Sequence, residues 1–442
     1  MPTKEEWKAR VNEQIDRQKE EIIGVAKEIL LTPEPGFREF KTAAIVARKF
    51  TELGLPYRDK IAITGIKSVV DGGSPGPSVC VMGELDSLIV PDHPHADPQT
   101  GAAHVCGHNG QVAIMYGVAA GLLGAGVLPA LSGRLVFIGV PAEEYIEIEY
   151  RDDLRIQGKL AYLGGKPEFI RRGELDDVDI AMMTHLSPSP AAKSLATIES
   201  MNGLVAKRIQ YIGRTAHAGG APHLGINALN AAMLALQAIH AQRETFRDQD
   251  TIRVHPIITK GGDAVNAVPR DVRMETFVRG KTAEAIMDAN AKVDRALKAG
   301  ALAIGARVKI TTLPGYMPMI SHPELWNLFR PNAVQLVGEE EIGNLGHSTG
   351  SSDMGDVSQI MPAIHPYAGG VSGTSHGSDF LIKDYQKAVI NPAKALAMTV
   401  IDLLADGALS AKEILAKVKP PLTKRQYLDF LDSLIKEEEF QG

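Results

Sequence analysis

Apolar positions along the chain fall into alternating helical and strand-like periods. Residues 5–30 repeat at helical spacing through Ile15, Ile22, Ile23, Ala26 and Ile29, and the cluster Thr32-Pro33-Glu34-Pro35-Gly36 ends that run. A second helix is predicted over 42–53. Two short continuous apolar runs, 79–85 and 134–140, predict buried strands, and the Gly/Ala-rich stretch 110–123 between them predicts a packed helix. Residues 178–183 read as a third strand ending at Thr184-His185. Strand, helix and strand at this spacing predict an α/β layer: a mixed, largely parallel sheet flanked by helices.

The texture changes near residue 199. Residues 204–213 alternate like a half-buried strand, 227–243 form a strong helical run, and 251–259 and 271–278 return as strands. A helix over 283–300 and a strand over 307–312 close the set. This β-α-β-β-α-β order is the ferredoxin-like split pattern and predicts an inserted α+β domain of about a hundred residues. Leu313-Pro314-Gly315 is the hinge back, and the chain beyond Ser321 completes the first domain. The predicted division is therefore 1–198 with 314–442 as a discontinuous first domain, and 199–313 as the insertion. Residues 409–442 read as a charged helical tail broken by Pro420-Pro421. There is no internal repeat.

Composition narrows the field without naming a function. The chain of 442 residues is 44% hydrophobic and 23% charged, enough for a sizeable core without staples. A net charge of -6 argues against a nucleic-acid surface. The two cysteines, Cys80 in an apolar run and Cys106, make no disulfide framework and fit a reducing cytoplasm. The N-terminus has no apolar h-region, and the mild apolar run 112–128 is better read as an interior helix than as a membrane span.

Four segments carry candidate chemistry. In His104-Val105-Cys106-Gly107-His108, a thiol and an imidazole stand two apart just before a helix, a pairing that suits Zn or another first-row divalent metal. Alone, the pair reads as well as a buried thiol beside a capping histidine. Glu143 and Glu144 follow directly after a strand, where sites in open α/β sheets lie, and neighbours in extended chain point to opposite sides. One carboxylate can then bind metal while the other faces substrate as a base; alone, the pair is an acidic turn. His185 ends the third strand, as a ligand or as a core histidine. His376 sits in Gly373-Thr374-Ser375-His376-Gly377, a glycine-rich loop that lets backbone approach a ligand. Together they place one thiol, three imidazoles and two carboxylates on strand ends and loops of one layer.

With these residues in view, the chain resembles the M20 metallopeptidase family, most closely its amidohydrolase branch of aminoacylases, auxin-conjugate hydrolases and aminobenzoyl-glutamate hydrolases. The matching pieces are Gly83-Glu84-Leu85-Asp86-Ser87-Leu88, Cys106-Gly107-His108, Pro141-Ala142-Glu143-Glu144, Thr184-His185-Leu186 and the His376 loop. In the insertion they are Gly213-Arg214-Thr215-Ala216-His217-Ala218, the stretch from Pro222 to Leu229, the stretch from Gly261 to Pro269, and Phe277-Val278-Arg279. Likeness runs from about Leu30 to Leu404. The stretch from Pro222 to Leu229, with Ser351-Ser352-Asp353-Met354-Gly355-Asp356-Val357, looks most like the aminobenzoyl-glutamate and dipeptidase-like subgroup.

The resemblance implies a hydrolase of N-acyl amino acids, dipeptides or aminobenzoyl-glutamate-like amides. It implies that Cys106, His108, Glu144, His185 and His376 hold two divalent ions, with Zn, Mn, Co and Ni all compatible. Glu143 would be the general base for a metal-activated water, and Asp86 would orient a ligand. His217 would reach the partner subunit's site, the insertion serving as lid and dimerisation domain of a homodimer. Asn266 and Arg279 would hold the substrate's carbonyl or carboxylate, and Gly373 and Thr374 would line the substrate site. Partners are a small-molecule amide and a second copy, with no nucleic acid and no membrane. The chain departs from the family in running Tyr145-Ile146-Glu147-Ile148-Glu149 where relatives are glycine-rich, and in carrying Asn109 where many have Asp. His93 and His95 read as surface residues or a site rim. Two rival readings remain. One is a cysteine hydrolase using Cys106. The other is a non-catalytic binding protein of the same fold.

Overall fold

The computed structural model describes residues 2–442. Its central sheet has six strands in the order Tyr57–Ile61, Gly65–Asp71, Ser132–Val140, Ser74–Glu84, Ile180–Met182 and Ala363–Ile364. The first two joints are antiparallel and the other three are parallel. The period-two rule explains why this sheet is buried on both faces. Along the strand Ser74–Glu84, Cys80 and Met82 join one apolar cluster while Val79 and Val81 join the other. Along Ser132–Val140, Val136 and Ile138 oppose Leu135 and Phe137 in the same way. The helix His108–Gly124 packs on the second cluster and is buried almost all round, which its small residues permit. No single described helix is long and apolar enough to cross a membrane.

The predicted 5–30 helix is two helices, Lys4–Arg17 and Lys19–Leu30, broken at Gln18. The second sheet is wholly antiparallel, in the order Arg253–Val254, Asp271–Gly280, Gly203–Ile212, Arg307–Pro314 and Lys436–Gln441, with Ile257–Lys260 also paired to Asp271–Gly280. The helices Ala228–Ala241 and Ala283–Ile304 pack against each other and on this sheet. The predicted 251–259 strand is divided in two around His255-Pro256, where proline removes a ladder donor.

Two expectations need correction. The tail is not helical to its end: after the helices Leu409–Lys417 and Lys424–Leu434, Lys436–Gln441 is a strand. Its six residues pair with Arg307–Thr312, and Lys298 and Arg307 meet Glu438 and Glu439. Pairing with an open sheet edge outweighs the helix propensity of a Lys/Glu-rich segment. His93 is not a surface residue: it is buried, with Nε2 3.0 Å from the carbonyl of Phe380.

Candidate metal centre

The chemistry-bearing side chains gather at the carboxyl ends of the parallel strands, where an α/β sheet opens. The strand Ser74–Glu84 ends on Glu84, with Asp86 two residues beyond; Ser132–Val140 delivers Glu143 and Glu144; Ile180–Met182 leads to His185. His108 is the first residue of its helix, behind Gly107 in left-handed conformation (φ 93°), where a Cβ would strike Leu186. Two residues without glycine's freedom also adopt positive φ here: Ala142 (54°), just before the glutamate pair, and His376 (64°). Ala142 is held in place by its N–H, which donates to Glu39 Oε1 at 2.8 Å. Strained backbone of this kind is sustained where surrounding structure over-determines it, as at functional sites.

Donor atoms converge in three overlapping groups, each with its atoms within 4.8 Å of one another: Cys106, His108 and His185; Cys106, Glu144 and His376; and Glu84, His108 and Glu143. Cys106 Sγ lies 3.3 Å from His185 Nε2, and His376 Nε2 lies 3.4 Å from Glu144 Oε1. The imidazoles are oriented from behind. His108 Nδ1–H donates to the Asp86 carbonyl at 2.9 Å, and His185 Nδ1–H donates to the Leu186 carbonyl at 2.7 Å. Each ring therefore turns Nε2 into the site, the usual arrangement of a metal-binding histidine. The Asp86 carboxylate in turn accepts the Glu144 N–H at 2.9 Å.

The electrostatics call for cations. Glu84, Asp86, Glu143, Glu144 and Asp353 are all buried in this region, against the buried Lys166 and the largely enclosed guanidinium of Arg279. Burial, then Glu84 and Glu144, pushes the Glu143 carboxyl well above its ordinary range. Burial pushes His185 down to about 3, so its ring is neutral and free to ligate. Several buried acceptors have no partner in the protein: Glu84 Oε2, Asp86 Oδ1, His108 Nε2 and Glu144 Oε1. Orphaned acceptors and uncompensated carboxylates at one spot are costly unless positive charge joins them. The donor set of one thiol, three imidazoles and carboxylates fits divalent first-row metals.

Beside these groups opens a cavity of about 770 Å³. Cys106, Glu143, Glu144, His185 and His376 reach it, and Arg279 lines it as well. Arg279 is braced by His255 Nε2 at 3.1 Å and by the face of Phe277. Tyr145 and Ile146 line the cavity, so the bulky residues after the glutamate pair shape it directly. Asp86 and His108 stand behind the wall. His217 and Asn266 lie together on the second sheet's outer loops, with Ala218 N–H donating to the Asn266 carbonyl, and neither lines the cavity. Gly373 and Thr374 also lie off it, while their neighbour Ser375 lines it.

Sequence reasoning passed over several residues. Lys166, buried at the start of the helix Gly165–Arg171, bonds Glu84 Oε1 at 2.5 Å and the Asp353 carboxylate, while its N–H donates to Asp353 Oδ2 at 2.9 Å. His347 lines the cavity, braced by Ser200 at 2.8 Å and Thr251 at 3.1 Å. His365 packs edge-on to His185. Of these groups Glu84 and Asp353 had a signal, their places in the Gly83–Leu88 and Ser351–Val357 motifs.

Comparison with known proteins places the chain among proteins of similar sequence and fold. Residues 200–304 match the peptidase dimerisation domain of the M20 family. The chain is 28% identical over 426 residues to the Xaa-Arg dipeptidase of Mus musculus, covering 91% of this chain and 90% of that one. Its fold matches an aminobenzoyl-glutamate utilization protein from Klebsiella pneumoniae (TM-score 0.68, 18% identity, 89% of this chain and 98% of that one). It also matches the Bacillus subtilis YxeP protein, described as a dinuclear metal binding peptidase (TM-score 0.62, 19% identity, 87% and 98%). Residues 200–304 thus carry the M20 peptidase dimerisation domain, and over most of its length the chain is similar to M20 metallopeptidases and amidohydrolases.

Proposed function

We propose that the protein is a metal-dependent hydrolase of the amide bond in small carboxylate-bearing substrates: N-acyl amino acids, dipeptides or aminobenzoyl-glutamate-like amides. The observation that carries the reading is the convergence of Cys106, His108, Glu144, His185 and His376 with Glu143 beside one cavity that Arg279 also lines. Relatives acting on amide bonds, a dipeptidase, an amidohydrolase and a deacetylase among them, support it.

The five named donors would hold two divalent ions, which when bound act as Lewis acids and bring the pKa of water toward neutrality. Glu143 would take a proton from the attacking water and deliver it to the departing amine. Tyr316 donates its hydroxyl to the Glu143 carbonyl and fixes the backbone there. Arg279 would bind the substrate carboxylate with its planar fork, and the enclosing walls would exclude bulk water. Residues 199–313 would serve as lid and dimerisation unit, with His217 of the partner subunit steadying the oxyanion and Asn266 helping to hold the substrate. Met233 and Leu234 on the helix Ala228–Ala241, with Ile257 and Ile258 on the edge strand, are exposed apolar side chains that suit such an interface.

A cysteine-nucleophile mechanism fits less well. Burial, then Glu144, pushes the Cys106 thiol well above its ordinary range, the reverse of an activated thiolate. The test is hydrolysis of a panel of N-acyl amino acids, dipeptides and aminobenzoyl-glutamate by wild type and Glu143→Gln. Turnover of one class, falling about 10²–10⁴-fold in the variant with metal retained, supports the reading. No turnover across the panel, or full turnover in the variant, contradicts it.

A further inference from the structure

Glu84 has no role in the ligand set above, yet its side chain is the one aimed most directly at His108. Both residues are fully buried. Glu84 Oε2 lies 3.1 Å from His108 Nε2, and neither atom has a hydrogen-bond partner. The ring's other nitrogen is committed: Nδ1–H donates to the Asp86 carbonyl. In the neutral ring Nε2 therefore carries a lone pair, and it faces a carboxylate lone pair across 3.1 Å. That contact is repulsive unless a positive charge lies between the two atoms, as a second ring proton or as a metal ion. The company of the pair decides between these. Glu84, His108 and Glu143 form one convergent donor group, with Glu143 Oε2 3.8 Å from His108 Nε2, and His108 also belongs to the neighbouring group with Cys106 and His185. Separations of 3.1–3.8 Å are those of atoms that share one ion at bonds of roughly 2.0–2.3 Å.

The rest of the Glu84 side chain is built for that task. Its other oxygen, Oε1, accepts from Lys166 Nζ at 2.5 Å, which fixes the carboxylate plane and leaves Oε2 free. Lys166 is in turn gripped by Asp353 through both its ammonium and its backbone N–H. A glutamate needed only as the lysine's counter-charge would not have to present an unpartnered oxygen to an unpartnered imidazole nitrogen.

We propose that Glu84 is itself a metal ligand, sharing with His108, its neighbour in the convergent group Glu84, His108 and Glu143, one of the two ions. This rests on the metal-dependent reading above. The experiment is cobalt(II) substitution of wild type, Glu84→Gln and Asp353→Asn, reading the visible d–d absorption and the metal count after dialysis against micromolar free metal. Asp353→Asn disturbs the same lysine without facing His108, so it reports the purely structural effect. The expected result is a changed d–d band in Glu84→Gln, with one ion bound more than about 100-fold more weakly, beyond the loss usual for an outer contact. Asp353→Asn keeps the wild-type band. An unchanged band in Glu84→Gln, or the same change in both variants, overturns the proposal. Should Glu84→Gln not fold, an anomalous difference map of zinc-loaded wild-type crystals decides. A peak within about 2.2 Å of Glu84 Oε2 supports the proposal and a peak beyond about 3 Å overturns it. Wild type that binds no metal at all refutes the metal-dependent reading instead.

Discussion

Replacing Lys166 with methionine removes the one ammonium buried among the site's carboxylates. Lys166 is fully buried, and so are its two partners, Glu84 and Asp353. Methionine fills most of the volume but leaves two carboxylates facing each other out of water. Removing one partner of a buried ion pair costs about 3–5 kcal/mol. For a chain of 442 residues, an unfolding entropy of roughly 2.1 cal/mol/K per residue gives about 0.9 kcal/mol/K. The expected fall in Tm is therefore roughly 3–5 °C, read by calorimetry on metal-stripped protein.

The pH dependence of this loss has a definite sign. In the wild type, burial opposes the Glu84 charge, but Lys166 with His108 and His185 holds its carboxyl down to about 2; burial and Glu84 raise Asp353 to about 6. Without the lysine both carboxyls move up. A carboxyl whose folded pKa exceeds its unfolded value, about 4, keeps its proton on folding. Its contribution is present below about pH 4 and is lost as pH rises through the folded value. The deficit of Lys166→Met should thus be larger at pH 8 than at pH 5. Adding Asp353→Asn should return a substantial part of it. A fall in Tm below about 1 °C at pH 8, or a deficit that grows toward acid, would refute the account of this ion triad.

Two other predictions follow from the geometry. Arg279→Ala should lower kcat/KM by roughly 10–150-fold, the worth of a charge-assisted hydrogen-bond pair, for substrates with a free carboxylate. The same variant should leave carboxamide analogues nearly unaffected, and equal losses on both would remove Arg279 from substrate binding. Ending the chain at Leu434 strips the strand from the edge Arg307–Pro314, so a lower Tm and concentration-dependent association by light scattering are expected. A truncated chain as stable and as dispersed as the full one would show the strand to be dispensable.

Local patterning carried most of the fold. The strands around Cys80 and Val136 read as continuous apolar runs because both faces are covered, and the inserted sheet read as alternation because only one face is. Of the five candidate donors, Glu144 and His185 stood out because they follow strands, Cys106 and His108 because they stand at a helix start, and His376 by its glycine-rich loop. Lys436–Gln441 was hidden because its strand state comes from a partner edge more than a hundred residues earlier, while its own composition favours helix or solvent. Lys166, and with it the pairing of Glu84 and Asp353 through one ammonium, was hidden for a related reason. Each residue alone looks like a surface charge, and burial becomes affordable only when three distant segments meet. His93 misled similarly, since a proline-rich loop suggests exposure and the contact with Phe380 is 287 residues away.

The central claim is that this protein hydrolyses amides with resident divalent metal. Its most direct test is elemental analysis of the purified chain, paired with turnover before chelation, after chelation and after restoring Zn, Mn, Co or Ni. The account predicts about two ions per chain, loss of amide hydrolysis on chelation, and recovery with at least one of these metals. Amide hydrolysis that persists in a demonstrably metal-free chain would contradict it.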